Sequence, residues 1–245
     1  MLVILAILTC LQVSANSGSK NQIKIAQCSG NIRQIALATQ VYASESQDKL
    51  PTLTGSAAWA WDLPDPVAQV LLRSGCTKRT FYCPGTEPSF TDKENFLDPY
   101  PSSLWTFASP TDSPTSFHII GYALAFNGSA SRLNLAEQNS TMLPERVNSV
   151  LIAPAKRVLV ADVIISSAFS YPATPNNNFT SISGGFYKPH TSSHVVGQMP
   201  IGNNLAFKDG HVEWKTFNSP PAGGGNPDPN QYTIVRTASG PYFWW

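Results

Sequence analysis

Charge is scarce in this chain. Only 13% of its 245 residues are charged, with 16 Lys and Arg against 15 Asp and Glu, so it carries no basic footprint for a nucleic-acid backbone. Long apolar runs are missing too. The first 13 residues, MLVILAILTCLQV, fall short of the roughly 20 that a membrane-spanning helix needs. No Lys or Arg precedes them, so a secretory signal would lack its basic start, although Val13-Ser14-Ala15 offers a small-x-small cleavage signature. Ile7-Leu8-Thr9-Cys10 is a poor lipidation motif, which makes Cys10 a buried apolar cysteine by expectation. No Gly-x-Ser-x-Gly elbow, His-Glu-x-x-His or Gly-Lys-Ser/Thr loop occurs, which excludes the common hydrolase and nucleotide-binding signatures. The glycines at 223 to 225 sit in SPPAGGGNPDPN, a loop composition rather than a phosphate cradle. Enzyme activity is not expected.

What is present is proline, glycine and aromatic residues. Twenty Pro and 16 Gly favour short strands and ordered loops over helical bundles. With six Trp, eight Tyr and plentiful Asn, Ser and Thr, the composition suits an exported or envelope protein. Four cysteines allow three full pairings, which sequence does not rank. With Cys10 in the apolar stub, we expect Cys28 to bridge to Cys83, the alternative being three free buried thiols. Such a bridge closes a loop of about 55 residues and would contribute about 3 to 4 kcal/mol.

The most informative segment is CSGNIRQIALATQVYASESQDKLP, from Cys28 to Pro51. Ile25, Cys28, Ile32, Ile35, Ala36 and Thr39 recur at helical spacing, so one face can lie on a sheet. Residues Ser44 to Asp48 turn polar, and Leu50-Pro51 stops the helix. A short helix is expected from Asp65 to Arg73, with Asp65 as N-cap, Pro66 at its first position and Gly75 closing it. Phe117 to Phe126 and Arg157 to Ser166 read as strands, and Phe81 to Cys83 as a shorter one before a Pro turn. Residues 87 to 116 and the polar stretch from Ser170 to His194 read as long loops. Asn204 to Phe207 and His211 to Phe217 form a hairpin about the turn Lys208-Asp209-Gly210.

In combination these fragments resemble a known family. An apolar stub, a long helix and a β-rich body resemble the type II secretion pseudopilins and type IV pilins. CSGNIRQI, FYCPG, HIIGYAL, LVADVIIS and a His followed by Asp-Gly-His resemble the prepilin-type processing-associated proteins, named for His, nine residues and Asp-Gly. Here His194 and Asp209 have 14 residues between them, an insert of about five. The family's basic leader, its Gly and its Phe-Thr-Leu-Ile-Glu are not in this sequence, which starts inside the apolar part. The resemblance implies either a start upstream of Met1 or a copy without prepilin-peptidase processing. It also implies an α+β, pilin-like fold, with a long N-terminal helix packed on an antiparallel β-sheet and long C-terminal loops. Residues 1–50 would be stub and helix, and 51–245 the globular domain. The implied role is a structural pseudopilin-like subunit of a type II secretion or type IV pilus-like assembly. It would pack against other pilin-like subunits and the inner membrane, and lie anchored there or be periplasmic or extracellular.

Asp162, His190, His194, Asp209 and His211 form the one constellation with metal-ligand chemistry. Imidazoles with carboxylates suit a zinc-like ion, whereas Asp209 with Asp162 and loop carbonyls suits calcium. The resemblance to pseudopilins points to calcium, with Asp162, His194 and Asp209 as ligands. No contiguous Asp-x-Asp-x-Asp run supports it. The plainer reading is a structural hydrogen-bond lock around the motif residues His190, His194, Asp209, Gly210 and His211. A competing function is a secreted glycan- or partner-binding β-rich module, using Trp59, Trp61, Trp105 and the closing PYFWW as a platform.

Overall fold

The computed structural model describes residues 2–54, 59–86, 117–128, 133, 136–167, 178–183, 189–217 and 241–245, with side chains from Gly18 onward. Helix α1 runs Leu2–Glu45 and helix α2 Asp65–Arg73. The strands are β1 Asp62–Pro64, β2 Phe117–Ile119, β3 Tyr122–Leu124, β4 Glu145–Val147, β5 Val150–Ile152 and β6 Val158–Asp162. They continue with β7 Ile165–Ser166, β8 Val195–Val196, β9 Met199–Pro200, β10 Gly202–Phe207, β11 Val212–Thr216 and β12 Tyr242–Phe243. Among the described residues, no helix is long and apolar enough to cross a membrane.

The expected pilin-like architecture, one N-terminal helix over one antiparallel sheet, does not form. Among the described residues the strands divide into five antiparallel sheets, of which only β11-β10-β6-β3 has four strands, and a second helix follows β1. The reason is visible in the two longest expected strands, because each breaks after a few residues. Phe117 to Phe126 splits at Ile120-Gly121: β2 pairs with β1, while β3 pairs with β6. Arg157 to Ser166 splits after Asp162, so that β6 stays in the four-stranded sheet and β7 pairs with β12. Two further expectations shift. Pro64, not Asp65, occupies the N-cap position of α2 without a side-chain cap bond, while Gly75 does close the helix at φ +110. The Phe81 to Cys83 strand is instead a 3-10 turn over Lys78–Phe81 followed by extended Tyr82.

The stripe on α1 is where the sequence placed it from Cys28 onward, while Ile25 stays half-exposed. Cys28, Ile32, Ile35, Ala36, Thr39 and Ala43 are buried, and they join Tyr122, Leu124, Leu159, Val160 and Ala206 in one apolar cluster, Thr39 apart. Thr39 satisfies its hydroxyl on the carbonyl of Ile35 at 2.8 Å. A second cluster contains Trp61, Phe243 and Trp245 with Ala123, Ala161, Leu205 and Phe207. Because side chains alternate across a strand, β3 and β10 divide their residues between these clusters, so the four-stranded sheet is covered on both faces. The hairpin β10–β11 pairs Gly202 with Thr216 through Ala206 with Val212, and Gly210 turns it at φ +89.

Candidate functional site

Both strand breaks lie at one place in the fold. Gly121, between β2 and β3, has no room for a side chain: a Cβ there would lie 2.5 Å from the Cβ of Cys83. Asp162 ends β6 and is fully buried. Facing them are Cys28 on α1 and His194 on the loop before β8, and the ligand atoms of all four lie within 4.8 Å of one another. Cys28 Sγ and Cys83 Sγ are 2.6 Å apart as free thiols. His194 Nε2 lies 3.1 Å from Asp162 Oδ2 and 3.8 Å from Cys83 Sγ. None of the four is more than 6% exposed.

Local structure holds each group in place. Cys83 sits in Cys-Pro-Gly, where the Gly85 N–H donates to its sulfur at 3.2 Å and the Thr86 N–H to its carbonyl at 3.0 Å. The Tyr122 hydroxyl, 3.0 Å from the Asn31 amide, reaches Cys28 Sγ at 3.8 Å. Asp162 Oδ2 accepts from the Asn204 N–H and side-chain amide at 3.0 and 2.8 Å, and that amide also reaches the carbonyl of Ile25. His194 takes a positive φ of 51, a conformation that costs a non-glycine residue of order 1 kcal/mol and turns its ring inward against Gly85.

Electrostatics follow from burial and proximity. Burial opposes ionisation of Cys83, yet the hydrogen bond with Cys28 and the His194 imidazole outweigh it and bring this thiol to about 7. Burial, with Cys83 and Asp162 beside it, pushes the Cys28 thiol far up. Burial works against a charged His194 as well, but Asp162 and Cys83 raise it to about 10. A Cys-His-Asp nucleophile needs its acid and its thiol on opposite imidazole nitrogens, and here both face Nε2. The arrangement converges on a point instead of relaying a proton along a line.

The expected residues therefore separate. Asp162 and His194 come together, as do Cys28 and Cys83. Asp209 does not join them: it stays exposed on the hairpin turn, where its Oδ1 lies 2.6 Å from Nδ1 of His211. A calcium site built from Asp162, His194 and Asp209 is thereby disassembled. His190 is buried under Trp61, ring centroids 4.4 Å apart, with Nε2 3.2 Å from the carbonyl of Ile120. Trp61, Trp244 and Trp245 are core residues, which withdraws them from a binding platform, and the half-buried Trp59 stacks on Trp61 at 5.3 Å. Trp105 and the loop 87 to 116 lie outside the described residues.

Sequence reasoning considered the cysteines as a bridge and the Asp and His residues as a separate constellation. The signal that could have joined them was Asp162 itself, a lone carboxylate inside the apolar run LVADVII. Two further pairs, one buried and one half-buried, went unanticipated. His118 Nε2 lies 2.6 Å from Asp65 Oδ1, and Lys208 Nζ lies 3.0 Å from Glu145 Oε2 while donating to the carbonyl of Leu143 at 2.7 Å. Comparison of the chain with protein-family models, with curated proteins and with solved structures found no match.

Proposed function

We propose that the chain is a non-catalytic structural subunit of a pseudopilus-like or pilus-like export assembly in the cell envelope. The observation that carries this is the disparity between α1 and its cover. A helix of 44 residues is about 66 Å long, whereas its buried stretch, Cys28 to Ala43, accounts for about 24 Å. Residues Gly18 to Gln27 are exposed or half-exposed, Ile23 at 55%, and the sequence before them is apolar. A helix with that division is suited to lie against the helices of neighbouring subunits while the body stays outside the helical bundle. The buried cluster serves this role mechanically, since Cys28 ties the helix to three separate parts of the body. The burial of all four groups favours assembly over turnover.

The test is a photo-cross-linker at Ile23 in cells of the native host, with the N-terminal residue and intact mass of the protein determined from membranes and medium. A membrane-associated protein giving a ladder of cross-linked subunits is expected. A soluble monomer starting at Asn16 and giving no ladder would overturn the proposal.

A further inference from the structure

We propose that Cys28, Cys83, Asp162 and His194 are the four ligands of a structural site for a single thiophilic divalent cation of the zinc class. This does not rest on the assembly role. Two sulfurs, one imidazole nitrogen and one carboxylate oxygen are the donor set of a closed tetrahedral site. Calcium and magnesium, which want six or more oxygens or retained waters, do not fit it. The residues come from four separate parts of the chain, 55 positions apart for the two cysteines and 111 for Cys83 and His194. Their ligand atoms meet within 4.8 Å of one another.

Three independent features mark the convergence as built. The groups around the ligands orient them as outer partners of a metal do: the Gly85 N–H on Cys83 Sγ, the Tyr122 hydroxyl on Cys28 Sγ, and Asn204 on Asp162 Oδ2. His194 sits in the left-handed backbone region, which aims its Nε2 at the cluster. Glycines occupy the two positions that close on it, since a Cβ at Gly121 would meet Cys83 at 2.5 Å and one at Gly85 would meet the His194 ring at 2.8 Å.

A disulfide is the rival, and the two states exclude one another. A bridge between Cys28 and Cys83 would use two of the four convergent groups and leave the buried imidazole with Asp162, which also holds Asn204. A metal ion uses all four. Thiolates about one zinc-sized ion stand about 3.8 Å apart, so loading draws the sulfurs apart by about 1 Å from their 2.6 Å. On binding, the thiol protons and the proton on His194 Nε2 leave to solvent, so the imidazole is neutral when Nε2 meets the ion. Two thiolates and one carboxylate then bring three negative charges to the dication.

The test is titration of the whole chain, reduced and kept free of oxygen, with cobalt(II), followed by zinc(II). One cobalt per chain is expected, with a thiolate-to-cobalt charge-transfer band and tetrahedral ligand-field bands that zinc abolishes. In Cys28→Ser the charge-transfer intensity should fall by about half, while Cys76→Ser and Asp209→Asn should leave it unchanged. Reduced, folded wild-type protein that shows no cobalt band would overturn the proposal and leave the Cys28–Cys83 disulfide, read as a mass two hydrogens lower in the oxidised form. A band unaffected by Cys28→Ser in folded protein would overturn it too. The wild-type titration decides even if the variant fails to fold.

Discussion

Two His-carboxylate pairs in this molecule invite comparison. His211 and Asp209 stand 2.6 Å apart on the hairpin turn, and His194 and Asp162 stand 3.1 Å apart beneath α1. The shorter pair does less. His211 and Asp209 are 41% and 38% exposed, so water competes for both groups and their contact is worth a fraction of a kcal/mol. His194 and Asp162 are 2% and 0% exposed, so neither can replace its partner with water, and each is further fixed by a thiol or an amide. The Asp-Gly-His stretch that stands out in the sequence is thus a well-formed turn. The chemistry lies where four separate fragments of the sequence meet.

Perturbations of the two regions should differ in size. Asp162→Ala is expected to have the largest effect, about 3 to 5 kcal/mol lost in urea unfolding, because it strands His194 and the Asn204 amides in a dry interior. Gly121→Ala should follow at about 1 to 3 kcal/mol, since the new methyl can be seated only by moving Cys83. Its backbone φ is not in the left-handed region, so the loss would be steric.

Lys208→Met sharpens the comparison, because Lys208 adjoins the exposed Asp209 yet is itself buried. It should cost about 0.5 to 1.5 kcal/mol through the lost hydrogen bonds to the carbonyl of Leu143 and to Glu145. The same pair gives a pH dependence. Burial works against ionised Glu145, but the Ser140 and Lys208 hydrogen bonds outweigh it and hold this carboxyl below its usual 4.5. A depressed carboxyl contributes stability above its unfolded value and loses it as pH falls through the folded one. The wild-type protein should therefore weaken below pH 4.5, and Lys208→Met should flatten that slope in acid titration of the unfolding free energy. Smallest of all, Asp209→Ala and His211→Ala should each change stability by about 0.2 to 1 kcal/mol.

Much of the local structure was legible in the sequence. The α1 stripe from Cys28 to Thr39, the hairpin about Asp209-Gly210 and the Gly75 closure of α2 all follow from spacing and turn chemistry. The pairing partner of Cys28 was legible as well, though the bond was not. Sheet organisation was not. Nothing in Phe117 to Phe126 announces that its halves serve different sheets, because the break is dictated by the backs of Cys83 and Gly121 meeting in three dimensions. Lys208 was read as a turn residue, and its burial depends on Glu145 and Leu143, 63 and 65 positions away. His194 was read together with both Asp162 and Asp209, and of the two it is Asp162, 32 positions earlier, that meets it.

The most direct test of this contrast is a pair of double-mutant cycles, one on Asp162 and His194 and one on Asp209 and His211, read by urea unfolding of the reduced chain. A coupling of about 2 to 3 kcal/mol in the buried cycle and well under 1 kcal/mol in the exposed one is the predicted result. Equal couplings, or the larger one at the hairpin turn, would contradict it.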